Sequence, residues 1–221
     1  MVLLGSCPAP SGGLFTARDG FNGMGYLNDV QVRLCPVSVT TRYRRADVIG
    51  RAIDLLDEVG LSGLSMRRLA GDLGVQPSAL YHHVASKQEL LGAVADEILA
   101  RGRRSTEVLG WQDELRLTCL ELRDTMLRHR DGAALIALAR AEGVGGDEPL
   151  RRMASVLAFN GADPELARVG ARTLFHFVFG HVADRQAQGV VSAGGRDESA
   201  DFATGLGIVL GGLEGRLAQH A

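Results

Sequence analysis

The chain has 221 residues, 46% of them apolar and 23% charged, with a formal net charge of −2. That length buries a sizeable core in one or two domains, and the composition excludes collagen-like, mini-protein and wholly disordered chains. No stretch approaches 18 uncharged apolar residues, which excludes a membrane-spanning helix; Gly5, Pro8 and Pro10 break the N-terminus where a secretory signal needs a continuous apolar run, so a cytoplasmic chain is expected.

Residues 1–38 hold no sustained period of 3.6 or 2 and read as a flexible arm, with Met24 as an alternative start and Val30–Val39 as a candidate strand. From Arg42 the pattern turns helical. Val48, Ala52, Leu55, Leu56 and Val59 recur at helical spacing up to a stop at Gly60. Ser65 caps a short second helix carrying Met66, Leu69, Ala70 and Leu73 and ending at Gly74. A third starts at Gln76-Pro77 and runs to about His83, since proline suits a first helical turn. Ser86-Lys87-Gln88-Glu89 reads as a capping box in which serine and glutamate satisfy backbone donors reciprocally, ahead of Leu90, Leu91, Val94, Ile98 and Leu99. Further helices are predicted over Trp111–Arg130, Ala133–Glu142, Pro149–Phe159, Asp163 to about Gln188, and Ser199–Gln219. Nothing after residue 40 resembles a strand, so the chain reads as all-α, which rules out Rossmann and barrel folds.

Charge is unevenly spread. Arg42–Arg104 holds ten basic and eight acidic residues, net +2, whereas 105–221 holds twelve and sixteen, net −4. A mildly basic block on an acidic remainder is compatible with nucleic-acid contact by one part only. Cys7, Cys35 and Cys119 are odd in number and show no C-x-x-C spacing, which removes disulfide scaffolds and zinc fingers.

Two short helices joined by a glycine-containing turn describe a helix-turn-helix, whose second helix fits the major groove of B-DNA. Between Ser65 and Lys87, Leu69, Leu73, Val75, Leu80 and Val84 anchor the pair, and Arg67, Arg68, Gln76, Ser78, Tyr81, His82, His83 and Lys87 project outward. Gln76 can pair with adenine, Pro77 and Ala79 can touch a thymine methyl, and Tyr81, His82 and Lys87, the chain's single lysine, suit phosphate oxygens. Periodicity alone also allows a solvated helical hairpin. The adjacent histidines lack further ligands for a metal.

Through Ala52-Ile53-Asp54-Leu55-Leu56, Gly60 through Ala70, Leu73-Gly74-Val75, Leu80-Tyr81-His82-His83-Val84, Lys87 and Leu90-Leu91, residues 44–100 closely resemble the DNA-binding domain of the TetR family of bacterial repressors. The resemblance implies a homodimer on a palindromic operator, one recognition helix per half-site, with Arg67, Gln76, Pro77, Ala79, Tyr81, His82, His83 and Lys87 at the contacting positions. It also implies an N-terminal helix-turn-helix domain at 39–85, a connecting helix at 86–104 and a helical ligand-binding and dimerisation domain at 105–221. Sparser matches to the tetracycline-repressor subgroup continue to the C-terminus: Trp111-Gln112, Leu127 through Ala133, His176-Phe177, Gly180, Gly205-Leu206 and Gly212-Leu213-Glu214.

That subgroup holds its drug as a magnesium chelate, and here the sequence departs from it. Alignment through Arg130-Asp131-Gly132-Ala133 puts Ile136 at the metal-binding histidine and Ala139 at its companion threonine, while Arg103, Thr118 and Leu122 replace drug-contacting histidine, asparagine and phenylalanine. His176 matches and Asp184 keeps a carboxylate, but one carboxylate and one histidine do not hold a hard cation. No metal, no other cofactor and no tetracycline-type chelate are expected. What remains is a cavity walled by Leu122, Met126, Ile136, Phe175 and Phe179, with Arg103, Thr118 and His176 as polar contacts to an apolar or aromatic effector; each apolar member alone also reads as plain core. Arg103 is the residue best suited to an anionic group.

In the last helix Gly207, Gly211 and Gly215 form a smooth stripe, with Gly205 and Gly212 nearby. Five helix-interior glycines cost on the order of 5 kcal/mol relative to alanine, which close helix packing must offset. By the resemblance that helix and the one over 163–188 form the dimer bundle, so the stripe is expected at or beside it. No nucleophile elbow, phosphate loop or H-E-x-x-H is present, so catalysis is not expected. The reading is a ligand-responsive repressor with operator DNA, a small-molecule effector and a second copy of itself as partners and no membrane. The alternative is a helical small-molecule-binding protein without operator binding.

Overall fold

The structure is a computed structural model that describes residues 43–108, 110–188 and 198–220. The predicted arm over 1–38, the candidate strand Val30–Val39, Met24, Cys7 and Cys35 lie outside the described residues. Those described are helical, with no strand among them: α1 Arg45–Gly63, α2 Met66–Asp72, α3 Pro77–Leu80, α4 Lys87–Gly102, α5 Trp111–Arg128, α6 Gly132–Ala141, α7 Glu148–Phe159, α8 Pro164–Gln188 and α9 Glu198–His220.

The first four helices close over one apolar set. Val48, Ala52, Ile53, Leu55 and Leu56 of α1 meet Leu69 and Ala70 of α2, Leu80 of α3, and Leu90, Leu91 and Val94 of α4, all fully or almost fully buried. The Gly60 stop holds in substance: its φ of +74 breaks the helix, and Leu61–Gly63 add one more turn beyond the break. A side chain there would be strained, and its Cβ would lie 2.7 Å from Asp131 Oδ2. The third helix is shorter than expected. It ends at Leu80, and Tyr81–His83 continue as a turn in which the His83 and Val84 N–H groups both donate to the Leu80 carbonyl.

Ser65 and Ser86 cap α2 and α4, their hydroxyls accepting from the Arg68 and Glu89 N–H groups at 3.2 and 3.0 Å. The expected capping box is displaced by one residue, because Glu89 Oε2 accepts from the Ala85 N–H at 2.6 Å rather than from Ser86. The remaining ends differ by one or two residues: α5 stops at Arg128, α6 covers Gly132–Ala141, α7 starts at Glu148, and α9 spans Glu198–His220.

Helix α4 belongs to both halves, packing on α1 as well as on α5, α6 and α7. Gly92 makes this possible, since a Cβ there would overlap the Val144 carbonyl in the α6–α7 loop. The same loop donates the Gly146 N–H to Asp96 Oδ1 of α4 at 2.8 Å. Beyond α4, α5, α7 and α8 pack on one another, α6 lies across α5 and α8, and α9 lies along α8.

Candidate nucleic-acid interface and effector pocket

At the head, burial separates anchors from projecting groups. Leu69, Leu80 and Val84 are buried, and Leu73 and Val75 partly so, whereas Arg67, Gln76, Pro77, Tyr81, His82 and Lys87 are exposed; Ala79 and His83 are half-buried. Tyr81 leaves half its surface in solvent. Gln76 immediately precedes α3 and Pro77 opens it, so the polar edge of Gln76 and the proline ring share the leading end of the short helix.

Residues of and before α1 hold the helix-turn-helix at three points. Tyr43 Oη donates to the Leu73 carbonyl at 3.0 Å. Arg45 Nε donates to the His83 carbonyl at 3.2 Å, and the same guanidinium lies 3.4 Å from Glu89, whose other oxygen takes the Ala85 N–H. Arg51 bridges Asp72 and Glu58, tying α1 to the end of α2, and its guanidinium holds the Asp72 carboxyl below the usual carboxylate range. Arg45, Arg51 and Glu89 were not among the expected site residues. The contacts Arg45–His83, Arg45–Glu89 and Arg51–Asp72 span 38, 44 and 21 positions along the chain, beyond the reach of any local pattern.

In the body the expected pocket residues fall into separate places. Arg103, Thr118 and Leu122 share a small crevice between α4, α5 and α7 with Leu99, Glu121 and Thr125, of about 10 Å³, room for about one water. Met126, Ile136 and Phe175 lie in the packed core; Phe175 stacks on half-buried Phe179 and is covered by the Arg140 guanidinium 4.2 Å from its centroid. His176, next to Phe175 on α8, is exposed, its ring T-shaped to that of Phe175 with centroids 6.2 Å apart. Arg103 is half-exposed and paired with Glu148 at 3.3 Å.

The crevice wall holds a buried ion pair that the sequence reading missed. Glu121, 7% exposed at its side chain, accepts from Arg152 Nη1 at 2.8 Å and from the Arg104 N–H at 2.7 Å; Arg152 also lies 3.5 Å from Glu114. The contact to Arg104 joins the end of α4 to α5. At the chelate positions Ile136 and Ala139 are fully buried hydrocarbon. They offer no oxygen or nitrogen, so the residues here do not fit a magnesium chelate.

On α9, a Cβ at Gly207, Gly211 or Gly215 would meet no atom of the described residues within 4 Å, and Ile208 beside them is 73% exposed, so the stripe faces away from the described helices; Gly205, in contrast, abuts the Phe177 ring.

A four-helix head with an exposed polar turn, sharing α4 with a helical body, has the architecture of a helix-turn-helix protein. Residues 48–94 match the family model for bacterial regulatory proteins of the tetR family, and 106–191 match that of the tetracyclin repressor-like C-terminal domain. The chain belongs to the TetR family, on its tetracycline-repressor-like branch. It is 45% identical over 95 residues to the Escherichia coli class D tetracycline repressor, an alignment covering 42% of this chain and 44% of that protein. Against the Escherichia coli class C repressor it is 30% identical over 206 residues, 78% of this chain and 91% of that one. Among solved structures, Mycobacterium smegmatis BioQ is similar with a TM-score of 0.71 and 37% identity, over 81% of this chain and all of that one. A BioQ structure with its natural double-stranded DNA operator has a TM-score of 0.66 and 36% identity, over 78% of this chain and 98% of that one. Among the described residues no helix is long and apolar enough to cross a membrane.

Proposed function

We propose that this chain is a ligand-responsive transcriptional repressor that binds a palindromic operator as a homodimer and is released by a small organic effector. The observation that carries the reading is the run Gln76–Lys87: polar groups directed outward from a short helix whose apolar side is sealed into the head. In the proposed division, residues 39–85 read the operator, 86–104 connect, and 105–221 bind the effector and dimerise. Gln76, Pro77 and Ala79 face base edges; Arg67, Tyr81, His82, His83 and Lys87 face the remaining bases and the phosphates. The exposed glycine stripe of α9 lies at the dimer bundle, where close helix approach offsets the glycine cost.

The effector enters between α4, α5 and α7, where Arg103, Thr118 and Leu122 already share a crevice, and opens the core toward Met126, Ile136, Phe175 and Phe179. It is not held as a metal chelate. His176 reaches it only if α8 turns, which makes His176 the weakest member of the set. Effector binding displaces α4 and so the heads, and by linkage operator DNA weakens effector binding by the same factor.

Selecting sequences from a random duplex pool tests the reading. A palindrome is expected, with affinity falling steeply as salt rises because phosphate contacts release counterions. Tyr81→Ala should weaken binding by about tenfold or more. Failure to enrich any duplex at low salt removes the repressor reading and leaves a helical ligand-binding protein.

A further inference from the structure

The corner between α5 and α6 grips the far end of α1. The Asp57 carboxylate accepts from the Arg130 N–H at 3.0 Å and pairs with His129 Nδ1 at 3.0 Å. Arg130 Nη1 donates to the Glu58 carbonyl at 2.9 Å. In the reverse sense, Asp131 Oδ2 accepts from the Leu61 N–H at 2.8 Å. The break at Gly60 leaves the Leu61 N–H without a helical acceptor, so the body supplies a cap to the last turn of a head helix.

The geometry of the corner is demanding. Asp131 sits at φ +56, the only non-glycine residue with positive φ among those described, in a conformation that persists only where its surroundings enforce it. The corner is fastened in turn to α8: Gln186 Nε2 donates to the Met126 carbonyl at 2.9 Å and the His129 carbonyl at 3.3 Å. A continuous chain of hydrogen bonds therefore runs from α8 through residues 126–131 to Asp57 and Leu61 of the head.

A head attached through α4 alone can pivot about that helix. A second attachment on α1, away from α4, restrains that pivot. We propose that Asp57 and Asp131 are positioning residues that set the distance between the two heads of a dimer, and so the half-site spacing the protein accepts. This rests on the operator-binding reading above but assigns spacing selectivity to residues that touch no DNA.

The experiment uses the full-length chain with the operator found by selection, alongside operators carrying one base pair more or less between half-sites, a displacement of about 3.4 Å. Asp57 is 41% exposed at its side chain, so Asp57→Ala is expected to fold, and thermal unfolding verifies it. The expected result is that Asp57→Ala lowers the affinity penalty for altered spacing by about tenfold, the effect of losing one or two hydrogen bonds, while affinity for an isolated half-site stays within about twofold. Asp57→Asn keeps an acceptor for the Arg130 N–H and is expected to fall between. Hydrogen exchange without DNA adds a direct reading: amide protection at Leu61 and Arg130 drops in Asp57→Ala and is largely kept in Asp57→Asn. An unchanged spacing penalty in Asp57→Ala overturns the assignment and leaves the repressor reading standing. If the unmodified chain binds no duplex at any spacing, the repressor reading fails and takes this one with it.

Discussion

Cys119 shows how far burial alone reaches at the scale of one residue. Its thiol lies in the core, and desolvation pushes its pKa up from 9.0 to about 12, against a smaller opposing influence from Arg116. Below pH 9 the proton is held in both folded and unfolded chains. Above it the unfolded chain releases the proton first, so the fold loses stability as pH rises from about 9 to 12, by roughly 2 kcal/mol at pH 10.5. Urea unfolding at pH 8 and 10.5 checks this: Cys119→Ala should lose less between the two than the unmodified chain does. Gly60 offers a second residue-scale test. Alanine there meets both a φ of +74 and the Asp131 carboxylate, so Gly60→Ala is expected to cost about 2 kcal/mol in the same measurement. A glycine before a helix stop was visible in the sequence. That Asp131 occupies the space beside it was not, because 70 residues separate the partners.

Among the elements, α4 has the most to coordinate, and its two ends are secured differently. At its start the Ser86 hydroxyl caps the helix, so Ser86→Ala should cost about 1 kcal/mol and Ser86→Asp should keep most of it, as read by thermal unfolding. At its end the Arg104 N–H and the Arg152 guanidinium converge on buried Glu121. Glu121→Ala leaves both donors short of an acceptor, and a loss of about 2 kcal/mol in urea unfolding is expected. The first device could be read from Ser-x-x-Glu, although the glutamate turned out to serve Ala85. The second could not, since Glu121 and Arg152 sit on helices that amphipathic period places in the core without specifying which partners meet. α3 was legible in place but not in length. Its ladder ends at Leu80, where Tyr81–His83 turn toward α4, and Arg45 secures the His83 carbonyl from a helix 38 residues earlier.

For the whole molecule, the exposed glycine stripe of α9 and Ile208 beside it pose the question of what covers them. If a second copy does, Gly211→Arg should turn a dimer into a monomer in sedimentation while leaving the single chain folded, because a Cβ there meets no atom of the described residues within 4 Å. Operator affinity should fall with it, since one head offers half the contacts.

Helix positions, the helix-turn-helix, the caps at Ser65 and Ser86 and the family resemblance are local properties, set by spacing over a few turns, and the sequence was sufficient for them. Tertiary structure alone decided that Leu122, Met126, Ile136 and Phe175 pack in one core, with Leu122 also walling the crevice that Arg103 and Thr118 share. It alone turned His176 outward and brought Asp57 and Asp131 to the joint between head and body. The physical reason is rotation: a helical period states that a residue lies on an apolar or a polar face, but which neighbour that face meets depends on how each helix is turned about its axis, and that is fixed only when distant helices pack.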